Sequence, residues 1–64
     1  MEKYFKNVTY ESNRYFLAIV KGNKLTLYTD NLTQSNVILN DNFKGKEISQ
    51  TLFNRAINYE LKKR

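Results

Sequence analysis

Tyr15, Lys21, Lys24 and Tyr28 bracket the pair Gly22-Asn23 in mirror order, ring outside cation on both sides. Rings that stack on bases and cations that meet phosphates are the groups with which proteins hold single-stranded nucleic acid, each stacked base contributing roughly 1–3 kcal/mol. A second set of cations follows: Lys44 and Lys46 around Gly45, then Lys62, Lys63 and Arg64 at the end of the sequence. Together these are the candidate nucleic-acid contacts. Other chemistry is poorly provided for. Histidine and cysteine, the usual general base and soft nucleophile, are absent. The carboxylates are Glu2, Glu11, Asp30, Asp41, Glu47 and Glu60, of which only Asp30 and Asp41 fall in turn-like segments. The expectation is a protein that is not an enzyme, with no catalytic residues, no metal site and no cofactor. Phe43-Lys-Gly-Lys-Glu47 could hold one phosphate ahead of a helix. A single glycine makes no cradle, and a turn feeding the helix is the preferred reading.

Positioning of the tyrosines and lysines falls to a β-hairpin. Arg14–Val20 and Leu25–Tyr28 are β-prone runs separated by a turn pair that tolerates positive φ. Pairing Lys21 with Lys24 sorts the side chains into two faces. Phe16, Ala18, Val20, Leu25 and Leu27 form an apolar face, expected to be core. Tyr15, Leu17, Ile19, Lys21, Lys24, Thr26 and Tyr28 form a mixed face, expected to stay open as a working surface. Residues 3–10 read as an earlier strand. A loop of Glu11-Ser12-Asn13 pairs Tyr10 with Arg14 and sets Val8 opposite Phe16, although a loop one residue shorter or longer reverses that strand's faces. Residues 30–36 read as a polar turn and Val37-Ile-Leu39 as a short fourth strand.

From Glu47 the period changes. Ile48, Leu52, Ala56 or Ile57, and Leu61 recur at helical spacing with Phe53 beside them, predicting a helix over about residues 46–62. Glu47 early and Lys62-Lys63-Arg64 late suit the helix dipole. Gln50, Asn54 and Asn58 share the other side; such amides can read adenine edges, but a solvated helix face is the simpler reading. Arg55 either extends a basic stripe with Lys62 or pairs with Glu47 or Glu60. The expected fold is α+β: a small antiparallel sheet of about four strands, in the order β-β-β-β-α, with one C-terminal helix packed on its apolar face.

The chain has 64 residues and reads as one domain, 1–64. At this size only about 60% of the unfolded surface is buried, and disulfides, metals or self-association often compensate. Without cysteine or histidine the first two drop out, and Leu17 and Ile19 on the mixed face make a homodimer an even alternative. Lysines and arginines number 11 against 6 acids, a net charge of +5. That bias suits polyanions or acidic protein surfaces; it also serves solubility. Met1-Glu-Lys-Tyr-Phe-Lys leads into mixed polar sequence without the apolar core of a secretory signal, and no run is long enough to span a membrane. A cytoplasmic site without membrane contact is expected. Nine asparagines, eight lysines and no proline suggest an AT-rich coding region, as in bacterial, viral or mobile-element genomes.

These observations leave a leading function and an alternative. The leading one is a non-catalytic binding module that takes nucleic acid, single-stranded in preference to double-stranded, on the open aromatic and basic sheet face. The alternative is a small protein-interaction factor or inhibitor of the phage or mobile-element type, docking on a host protein through aromatic anchors and a cationic rim.

Overall fold

The computed structural model describes residues 1–63. Its elements are β1 (Glu2–Tyr10), β2 (Asn13–Lys21), β3 (Lys24–Tyr28), β4 (Gln34–Ile38), β5 (Lys44–Ile48) and α1 (Gln50–Lys62). The strands form one antiparallel sheet in the order β4-β3-β2-β1-β5. The α+β class and the C-terminal helix on one sheet face are as expected, with five strands rather than about four.

The central hairpin has the expected register, Lys21 opposite Lys24 and Ala18 opposite Leu27, with Gly22 taking a φ of 62° at the turn. The first hairpin does not. Its turn is Glu11-Ser12 alone, both at positive φ, so Tyr10 pairs with Asn13 and Val8 with Tyr15. Between Val8↔Tyr15 and Lys6↔Leu17 the ladder skips Asn7 and Phe16. Asn7 stands at φ 52°, and the pairing of β1 with β5 shifts at the same place. Asparagine enters the left-handed region more readily than most residues. The consequence is a break in the alternation of faces. Tyr15 packs against the core cluster of Val8, Tyr10, Ala18, Val20, Leu25 and Leu27. Phe16 instead borders a cleft under the helix, and Leu17, only 1% exposed, shares the helix side with its partner Tyr28.

The helix therefore covers the face expected to be open. Phe53 is the one fully buried residue of α1. Its ring lies 5.0 Å from that of Tyr4 and 5.8 Å from that of Tyr28. The apolar face is covered by the chain that crosses from β4 to β5. Val37, Leu39 and Phe43 pack on the core cluster, and Phe43 meets Phe5 edge-on at 5.1 Å. Tyr10 anchors this crossing, its hydroxyl donating to the Ile38 carbonyl at 2.8 Å and accepting from the Asn40 amide at 2.9 Å.

Lys44–Ile48, expected to lead into and begin the helix, is instead the edge strand β5, paired with Tyr4, Phe5, Lys6 and Thr9 of β1. The helix starts after Ser49, whose side chain accepts from the Leu52 amide at 3.2 Å as N-cap. Gly45 is not a break but a close approach: a β-carbon there would lie 3.2 Å from Val8 and 3.3 Å from Phe5. Among the described residues no helix is long and apolar enough to cross a membrane.

If the positive φ at Asn7 holds the broken alternation, Asn7→Val costs roughly 1–2 kcal/mol, whereas Asn7→Gly is tolerated. Denaturant midpoints of the two variants check this.

Candidate nucleic-acid interface

Lys6 and Lys46 stand directly opposite each other on β1 and β5. Lys6 lines the cleft with helix residues, so both lysines belong to the helix side. Thr9 lies between the core residues Val8 and Tyr10 and therefore points to that side too. Its partners in register are Arg14 on β2 and Lys44 on β5. Arg55 borders the same cleft from α1. Cations of β1, β2, β5 and α1 thus lie on the helix side, from the middle of β1 at Lys6 to its last residues at Thr9 and Tyr10. Glu60, the acid of the cleft, is engaged by Lys63 at 3.4 Å. Glu47 pairs with Phe5 of the opposite face and offers these cations no counter-charge there.

Like charges directly opposite on neighbouring strands destabilise a sheet, by the same order that opposite charges stabilise it. The Lys6–Lys46 pair is therefore a local cost that a bound anion would relieve. With Asn7 exposed beside Lys6, the arrangement can grip a chain of phosphates.

The residues singled out in the sequence are divided by this geometry. Lys44 and Lys46 belong to the gathered cations. Lys21 and Lys24 sit on the same side but four residues further along the strands from Lys6, about 13 Å at the usual rise. Lys21 is also opposite Glu2. Lys62 borders a shallow polar groove on the outer side of α1, beside Asn54, Arg55, Asn58 and Tyr59. Lys63 lies over the Tyr59 ring, 4.6 Å from its centroid. Arg64 lies outside the described residues.

Tyr15 and Tyr28, expected together on an open platform, lie on opposite sides of the sheet. Tyr15 packs on the core cluster, and Tyr28 meets Phe53 edge-on. Partial burial raises the Tyr28 phenol above its ordinary pKa. Leu17 and Ile19, the residues that suggested self-association, share the helix-covered side with Tyr28 and Tyr4, so the motive for a homodimer across an open face is gone.

Sequence reasoning missed Lys6, Arg14, Phe16 and Tyr59. Lys6 and Arg14 meet the other cations only through the registers of β1 with β5 and β2. Phe16 was assigned to the core by strict alternation. Tyr59, 62% exposed, lies off the helical stripe read from the sequence. Among the described residues no group of acids converges to hold a metal ion. Comparison with protein families, curated proteins and solved structures finds no match to this chain.

Two measurements follow from the geometry. Lys46→Glu turns the repulsive pair into an attractive one and raises stability by about 0.2–1 kcal/mol, read from the denaturant midpoint at low salt. The raised pKa of Tyr28 means that the unfolded chain loses this proton first as pH rises. Its contribution is therefore full below the ordinary phenol value of about 10 and falls away as pH climbs through the higher folded value. Tyr28→Phe flattens the loss of stability above about pH 10, as urea midpoints across that range register.

Proposed function

We propose that the protein is a non-catalytic nucleic-acid-binding module that holds the sugar–phosphate backbone, of a single strand in preference to a duplex. The site is the helix-side end of β1, β2 and β5. The observation that carries this reading is the opposed pair Lys6 and Lys46, flanked by Arg14, Lys44 and Arg55, with its one neighbouring acid tied to Lys63. A sheet that only needed solubility would gain by alternating its charges. Lys44 and Lys46 act as phosphate contacts, with Lys62 extending the positive field along α1 and Lys63 offsetting Glu60. Lys21 and Lys24 lie at the far end and contribute to steering more than to grip.

A second reading, a small protein-interaction factor docking on an acidic partner, draws on the exposure of Leu52 and Leu61 on α1 and Ile38 on β4 in a chain of net charge +5. The two separate by salt. Phosphate contacts release counterions, with about 0.7 lost from the log–log salt slope per single-strand phosphate. An interface anchored by apolar side chains tolerates salt far better.

Fluorescence anisotropy of labelled single-stranded and duplex oligonucleotides at several salt concentrations tests the proposal. Four phosphate contacts give a slope near −3 for the single strand. Lys46→Glu, which strengthens the fold, should weaken binding at every sequence. Affinity that is weak at all salt concentrations, or indifferent to Lys46→Glu, contradicts the reading.

A further inference from the structure

We propose that the cleft between α1 and the β1–β2 irregularity receives one unstacked base of the bound strand, with Tyr59 as the stacking ring. The inference rests on the nucleic-acid reading above and adds a base-binding site to its phosphate-binding face. The cleft has a volume of about 470 Å³ and is walled by Phe16, Leu52, Ala56 and Tyr59. Its presence follows from how the helix is docked. A helix of 13 residues buries one side chain fully, Phe53, and leaves Leu52 47% and Tyr59 62% exposed. Phe16 is turned into the same space by the break at Asn7.

The charges around this apolar space select its occupant. Lys6 enters from the sheet and Arg55 from the helix, while the acid of the lining, Glu60, is paired with Lys63, so unpaired positive charge borders the cleft on two elements. A matching ligand presents a flat apolar group with an anion on either side of it. That is the repeating pattern of a single strand, in which each base lies between two phosphates. Duplex bases are paired and stacked and do not fit such a cleft without leaving the helix. Tyr59 is already held at the surface, with the Lys63 ammonium 4.6 Å from its ring centroid. With Lys63 on one face of the ring and bonded to Glu60, the other face is the one a base would stack on, and Lys6 and Arg55 are the cations left for its phosphates.

The test compares a labelled single-stranded oligonucleotide with an abasic strand of equal length, at low salt, on the wild-type protein and on Tyr59→Ala. Tyr59 is exposed and alanine is a good helix former, so the variant folds, as circular dichroism verifies. The abasic strand should bind at least about fivefold more weakly than the normal one, the lower end of a single stacking contribution. Tyr59→Ala should weaken the normal strand by a similar factor and leave the abasic strand unchanged. Equal affinity for both strands overturns the base site and leaves the phosphate-binding face standing. Binding of neither strand overturns both, and an acidic protein segment becomes the occupant to test.

Discussion

The break in alternation at Asn7 and Phe16 decides what each side of this sheet is made of. On one side of it, Val8 and Tyr10 face the same core as Tyr15; on the other, that core is continued by Phe5 and Ala18. Without the break Tyr15 would share the side of Tyr28, Phe16 would fill the core, and the cleft would lose a wall. The positive φ at Asn7, the short turn at Glu11-Ser12 and the β-carbon-free approach of Gly45 are connected parts of one arrangement. They let β5 return beside β1. In doing so they bring Lys44 and Lys46 alongside Lys6, Thr9 and Arg14.

The helix is held by few contacts, chiefly a ring wedged between two tyrosines. A more complete docking would bury Leu52 and Tyr59 and remove the cleft. The sheet beneath it likewise carries opposed lysines where opposite charges would stabilise better. The opposed pair Lys6–Lys46 borders the cleft side of β1, while a second opposed pair, Lys21–Lys24, stands at the far hairpin turn.

Much of the architecture was legible in the sequence. Gly22-Asn23 between two β-prone runs announces the hairpin and its register, and the spacing of apolar residues announces α1. The mixed class with a C-terminal helix follows from these two elements. The strand β5 was not legible, because Lys-Gly-Lys-Glu-Ile has no apolar alternation and an edge strand needs none. Register in the first hairpin turned on one residue of loop length, which composition does not specify. Lys44 and Lys46 were identified as cations from the sequence, but their partners Lys6 and Arg14 come together only through strand order. Regular alternation through Phe16 would set Tyr15 and Tyr28 on one surface, and the break there separates them.

The most direct measurement is amide chemical-shift mapping by NMR during titration with a short single-stranded oligonucleotide. The largest shifts are expected at Lys6, Asn7, Arg14, Lys44 and Lys46 and along Arg55–Tyr59, with the Gly22 turn and β4 little changed. Shifts centred on Lys21, Lys24 and the Gly22 turn, or none at all, would contradict this site.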